Sequence, residues 1–386
     1  MLCKGKTQFI FIAAAVFIIL YTFIAAIRLK QEVHFIPLWT TDVNLPEKDS
    51  ADNNTDEVIE KIEEKDFSGK EPFLFVLKNN TSGILNNMHN TVRGRFGFFS
   101  EDGTILRTEI FKDRISASAS AWVRYAGKAE TSNIYSPEGK LLFTVNRAGY
   151  THIEEDRIYL FEPGGSTVCK YGNGKEPIWR FSHTAAITAF NSSASGTIIG
   201  YSDGKLVCID HSGNTVFSFY PGGSNFQIIT GAAISDDGKT AVCICGLEHQ
   251  RVVLINISGT HYKIIHHEYL QKDSHKRSFA EFDKKGRFAV FESGDGIGII
   301  DCIKLKIFFI NEYGKIIGIG SHPEKDFLTI LFQEENICTL AAIRPPDYVI
   351  GKTKFNAKSA FLIQDKDRIY LGADTKITAF EIRGLK

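Results

Sequence analysis

Asp156-Arg157-Ile158-Tyr159-Leu160 recurs as Asp367-Arg368-Ile369-Tyr370-Leu371, 211 positions further along a chain of 386 residues. Matching turn signals divide that interval: Glu155, Gly196, Gly238, Gly286, Lys325 and Lys366 stand at successive tight turns, in steps of 41, 42, 48, 39 and 41 residues. Self-similarity at about 40 to 45 residues, built from short strands, is what a β-propeller leaves in its sequence, each step encoding one four-stranded blade. The two DRIYL segments are then second strands of blades five steps apart. The long step contains residues 260–277, THYKIIHHEYLQKDSHKR, which reads as an extended outer strand or loop.

Within each step, strand-like runs alternate with hairpin turns such as Ser100-Glu101-Asp102-Gly103, Ser136-Pro137-Glu138-Gly139, Ser202-Asp203-Gly204 and Ser235-Asp236-Asp237-Gly238. Leu206-Val207-Cys208-Ile209 and Ala241-Val242-Cys243-Ile244-Cys245 are apolar at both parities, so both faces of their sheets are expected to be buried. Residues 94–260 contain no amphipathic helix to do the burying, so sheets must cover sheets. An immunoglobulin-like array fits less well, because its sheets keep one polar face each and its domains need about 100 residues apiece.

Several repeats resemble the quinoprotein-like (PQQ-type) propeller repeat, in which a strand and a Gly turn lead to an aromatic that docks between blades. The matching residues are Cys169-Lys170-Tyr171-Gly172-Asn173-Gly174-Lys175 leading to Trp179, Cys208-Ile209-Asp210-His211-Ser212-Gly213-Asn214 leading to Phe217, and Tyr135-Ser136-Pro137-Glu138-Gly139-Lys140 leading to Phe143. The resemblance covers about residues 94–382 and extends to degenerate WD40-like repeats, although no Trp-Asp dipeptide occurs. It implies an all-β propeller. Seven blade starts follow from about residue 116, and residues 94–111 add a further hairpin, so the count is seven or eight, with seven favoured. The last repeat lacks a fourth strand, which Phe73 to Leu77 is expected to supply, closing the ring.

Lys plus Arg and Asp plus Glu number 45 each, so no basic excess points to nucleic acid. Thirty Phe against two Met and three Trp suit strands better than a helical bundle. Of seven cysteines, Cys169, Cys208, Cys302 and Cys338 fall in third-strand regions of different blades, where a small apolar side chain packs well. Cys243 and Cys245 lie on one face of one strand, with no CxxC partner elsewhere to make a metal or redox pair.

Before the repeats, residues 8–27 are almost continuously apolar, long enough to cross a hydrocarbon core of about 30 Å as one helix. The run ends in Ile27-Arg28-Leu29-Lys30 without a small-residue cleavage site, which favours an uncleaved signal anchor over a cleaved signal peptide. Cys3 precedes the run and so is not placed as a lipoprotein cysteine. A short basic tail before the anchor favours a cytoplasmic amino terminus and an extracytoplasmic, periplasmic propeller on the inner membrane. Phe35 and Trp39 are candidates for the membrane interface. The expected organisation is a cytoplasmic tail (1–7), a transmembrane signal anchor (8–27), a polar acidic stalk (28–72) and the propeller (73–386). As a flexible coil, the acidic part of the stalk from about residue 40 to 71, about 30 residues, spans on the order of 30 Å, holding the body clear of lipid.

Chemistry is harder to find. The quinoprotein resemblance raises a quinone-dependent dehydrogenase, whose cofactor site would be acidic and calcium-bearing and would carry a vicinal disulfide; here the nearest cysteine pair is split by Ile244. His261, His266, His267 and Glu268 are the densest group of potential ligands, but on a strand His266 and His267 point to opposite faces. The SDDG and SEDG turns do not belong to a D-x-D-x-D-G calcium loop, and no nucleophile elbow, P-loop or HExxH motif occurs. No catalytic, cofactor or metal residues are therefore assigned, and no cofactor is expected. The expected function is a non-catalytic, membrane-anchored interaction scaffold of the cell envelope, with other envelope proteins as partners. It is similar in architecture to the propeller scaffolds of bacterial envelope assembly. A propeller that binds or senses a small molecule or glycan is the alternative.

Overall fold

The computed structural model describes residues 32–43, 67–79, 93–111, 114–125, 130–172, 174–345 and 347–384. It is an all-β propeller of eight blades, each an antiparallel sheet. Blade 1 holds Phe73–Asn79, Arg93–Phe99 and Ile105–Phe111. Blades 2 to 7 run from inner to outer strand: Arg114–Ala117 to Leu141–Val145, Tyr150–Glu154 to Pro177–Ser182, Ile187–Ser193 to Thr215–Phe219, Ile229–Ile234 to His261–Tyr269, Ala280–Phe282 to Lys306–Ile310, and Lys315–Ser321 to Tyr348–Asn356. Blade 8 combines Ala360–Asp365, Arg368–Ala373 and Lys376–Arg383 with an outer strand from the other end of the chain, His34–Asp42.

The repeated segments fall where the register places them: Arg157–Phe161 and Arg368–Ala373 are the second strands of blades 3 and 8. Stacking of neighbouring blades explains the apolar runs of double parity. The second and third strands of blade 3 are buried throughout, whereas its outer strand Pro177–Ser182 is mostly half-buried or exposed. Between blades 4 and 5 one cluster joins Ile198, Leu206, Cys208 and Phe217 to Ile229, Ala232, Cys243 and Val253. The six described cysteines are all free thiols, five buried and Cys302 half-buried. Burial pushes the thiols of Cys169 and Cys338 up to about 11 and those of Cys208 and Cys302 to about 12.

Three expectations change. The count is eight rather than seven, because the hairpin before residue 114 belongs to a blade of its own. Phe73–Asn79 does not complete the last blade; it pairs with Arg93–Phe99, and His34–Asp42 pairs with Lys376–Arg383 instead. That closing strand lies inside the interval read as stalk, so the propeller begins before residue 73. Phe35 and Trp39 are part of it: Phe35 packs at the interface of blades 7 and 8, and Trp39 lies against Phe99 and Tyr370 at 6.2 and 6.0 Å. The anchor expected at residues 8–27 lies outside the described residues, among which no helix is long and apolar enough to cross a membrane.

The strands of blade 1 are the second, third and outer ones. A register slip at Phe98/Phe99 opposite Ile105 recurs at Ile134/Tyr135, Lys170/Tyr171 and Cys208/Ile209, each time between a third and an outer strand. Its turn also behaves as a third-to-outer turn. Gly103, at φ +84°, would place a β-carbon 2.8 Å from Trp39 on the outer strand of blade 8, as Gly213, at φ +94°, would place one 2.6 Å from Trp179 on that of blade 3. Only glycine offers both the left-handed backbone and the room for the indole. The inner strand of blade 1 has no counterpart among the described residues.

Candidate functional site

A propeller presents two faces. On the crossover face each outer strand hands over to the next inner strand; on the hairpin face lie the turns from first to second and from third to outer strands. The crossover face of blades 4 to 7 carries Tyr220 and Phe226 in the connection between blades 4 and 5, Tyr269 at the end of the outer strand of blade 5, and Tyr313 between blades 6 and 7. These side chains are 51%, 56%, 51% and 46% exposed.

The loops that carry them are tied down. Asp273 accepts hydrogen bonds from the backbone N–H groups of His249 and Gln250, Asp295 from those of Gln271 and Lys272, and the Ser224 hydroxyl donates to the Glu248 carbonyl. Gln250, fully buried, donates to Thr230 Oγ1 and the Gly246 carbonyl. Lys272 Nζ sits 5.7 Å from the centre of the Tyr313 ring, a cation–π placement. Lys272, His275, Lys276 and Arg277 are exposed in the blade 5 to 6 connection, as are Arg114 and Lys315 at the starts of two inner strands. This face therefore combines aromatic groups with a basic cluster at residues 272–277, interrupted by the exposed Asp273.

The channel end near the hairpin face is acidic. Glu281, on the inner strand of blade 6, has its carboxyl pushed up to about 8, chiefly by burial and further by the charges of Glu154, Asp236 and Glu155. The side chain keeps partial access to the channel, so water reaches the carboxyl.

A cavity of about 880 Å³ opens on the hairpin face over blade 3, bounded by turns of blades 2, 3 and 4. Two cations are buried against it: Arg157 is 8% exposed and Lys170 7%. Arg157 donates to Ser192 Oγ at 2.7 Å and to Glu155 at 2.6 Å. Lys170 Nζ lies 2.5 Å from His211 Nδ1, and His211 Nε2 lies 2.6 Å from the Ala194 carbonyl. A carbonyl can only accept, so the proton of a neutral imidazole sits on Nε2 and Nδ1 accepts from the lysine. Burial, and secondarily the nearby Arg157, lower the Lys170 pKa.

The residues considered in the sequence are dispersed. His261, His266, His267 and Glu268 all lie on the outer strand of blade 5, where His266 Nε2 is 3.9 Å from Glu268, and no group of three or more potential metal ligands gathers among the described residues. Cys243 and Cys245 share the buried face of the second strand of blade 5. Arg157 and Arg368 each reach to the next blade, Arg157 to Ser192 and Arg368 to Glu101, so their identical placement serves inter-blade contact. The repeat pattern assigns no role to Lys170 or Glu281, although a lysine inside the buried run Thr167–Tyr171 and a glutamate inside Ala280–Phe282 are legible irregularities.

Fold and sequence place the chain in one class: it belongs to a family described as beta-propeller protein, matched over residues 1–386. A relative from Treponema pallidum (strain Nichols), described as an uncharacterized protein, is 33% identical over 382 residues, which is 99% of this chain and 96% of that one. Among solved structures, BamB from Moraxella catarrhalis is similar with a TM-score of 0.53 and 11% identity, over 80% of this chain and 99% of that chain. Sqt1 of Chaetomium thermophilum is similar with a TM-score of 0.59 and 13% identity, over 81% of this chain and 95% of that chain. At these identities the likeness is one of fold.

Proposed function

We propose that the protein is a non-catalytic interaction scaffold, held by an anchor at residues 8–27 on the outer side of the inner membrane, and that it docks an acidic surface of another envelope protein on its crossover face. The observation that carries this reading is the arc of Tyr220, Phe226, Tyr269 and Tyr313, half-exposed on braced loops and flanked by Arg277, Lys276 and Lys272. Exposed aromatics cost free energy in water unless a partner covers them, and Tyr, Phe and Arg are the side chains enriched at protein interfaces. Basic neighbours steer an acidic partner and fix its register.

A photo-crosslinking residue in place of Phe226 is expected to give one discrete adduct in intact cells, and one in place of Ile303, which is 73% exposed on the hairpin face, is not. Lys276→Glu with Arg277→Glu is expected to weaken the adduct by about tenfold, equivalent to about 1.4 kcal/mol. Absence of an adduct at 226, or one indifferent to charge reversal, overturns the reading. Orientation has a separate check: protease added to spheroplasts is expected to digest the propeller, and protection would place it in the cytoplasm.

A further inference from the structure

The hairpin-face cavity is independent of the docking arc and calls for its own explanation. Lys170 is an ammonium with three donors, more than nine-tenths buried, whose one hydrogen-bond partner among the described residues is the His211 ring. It forms no ion pair there at 4.0 Å or less. Burial and the neighbouring Arg157 disfavour the charge, and the carboxylates of Asp156 and Asp210, which favour it, act from beyond contact distance and do not outweigh them. A lysine that served only to join blades 3 and 4 would gain as much as a neutral glutamine. The charge becomes useful when an anion enters the cavity and accepts the remaining donors.

The rim narrows the choice of anion. Glu155 and Asp156 stand at the mouth with side chains 68% and 84% exposed, both paired with Arg157 at 2.6 and 3.7 Å; two carboxylates against one guanidinium leave the rim negative, so that it repels a dianion and attracts an amine. Ile178, 52% exposed, supplies an apolar wall.

We propose that this cavity binds a small α-amino carboxylate: the carboxylate is held by Lys170, the ammonium faces Glu155 and Asp156, and the side chain lies against Ile178. His211 acts as a positioning residue, fixing the lysine through the chain that ends at the Ala194 carbonyl.

Calorimetric titration of the full-length protein in detergent with leucine, leucinol and inorganic phosphate tests this. Leucine is expected to bind, and leucinol, which lacks the carboxylate, to bind at least about tenfold more weakly. Lys170→Gln keeps a donor for His211 Nδ1 while removing the charge, and is expected to weaken leucine binding by about tenfold or more. Ile178→Trp, a change on the exposed rim that leaves the blade contacts alone, is expected to block binding even if Lys170→Gln fails to fold. No leucine binding, equal binding of leucine and leucinol, binding of phosphate alone, or affinity unchanged in the folded variants overturns the proposal. Unchanged affinity in the Lys276→Glu, Arg277→Glu protein is expected, since that surface lies on the opposite face.

Discussion

Replacing Trp39 by alanine is expected to lower the stability of the propeller by about 2 to 3 kcal/mol, toward the low end of values for large aromatic truncations because the indole is half-buried. Its ring fills the seam between blades 8 and 1 against Phe99 and Tyr370, over the space left by Gly103, and its Nε1 donates to the Glu101 carbonyl at 3.1 Å. Removing the whole closing strand does more. A chain beginning at residue 67 loses every partner of Lys376–Arg383 on the outer side and uncovers the core at Ile382, Ile377 and Ala379. Compared with a chain beginning at residue 30, it is expected to melt at least roughly 10 °C lower. Differential scanning calorimetry of the two decides the matter: equal midpoints would mean that the His34–Asp42 pairing contributes nothing to closure.

Glu281→Gln is expected to stabilise the protein, and to do so in a pH-dependent way. The folded-state carboxyl titrates at about 8, above its usual value of 4.5. Between those values the folded state holds a proton that the unfolded chain has released, so stability is fully present below about pH 4.5 and is lost as pH rises toward 8. A shift of that size sets a ceiling of about 5 kcal/mol at 1.36 kcal/mol per pKa unit, and water in the channel reduces the realised gain to roughly 2 kcal/mol at pH 8. The glutamine variant, uncharged at every pH, is expected to melt a few degrees higher than the natural protein at pH 8 and at the same temperature at pH 4.5. Equal midpoints at both pH values would show that Glu281 is well solvated and that its acidic neighbours do not act on it.

The parts of the fold written in local sequence were the parts that could be read. The turn series and the DRIYL pair gave the correct register because each blade repeats its own hairpins, and Ala241 to Cys245, apolar at both parities, announced its two covered faces. The blade count failed at the ends of the chain, where repetition stops helping. HFIPLWTTD contains Pro37, is mostly half-buried or exposed, and finds its partner more than 330 positions away, as in the contact between Thr40 and Thr378. Nothing in nine residues beside an apolar segment distinguishes such a strand from the start of a stalk. The cavity was hidden for a similar reason. Lys170 and His211 are 41 residues apart and meet only because one blade stacks on the next.

That closure also orders events in time. During synthesis His34–Asp42 emerges among the first residues of the propeller, while the strand it pairs with, Lys376–Arg383, is nearly the last. Until Lys376–Arg383 has been made, the early strand has an unpaired edge and no native partner, although the middle blades can already stack on one another. Ring closure is thus a late, long-range step with a high entropic barrier. A chain released before residue 376 retains both open edges, which makes it a substrate for aggregation or for quality-control proteases.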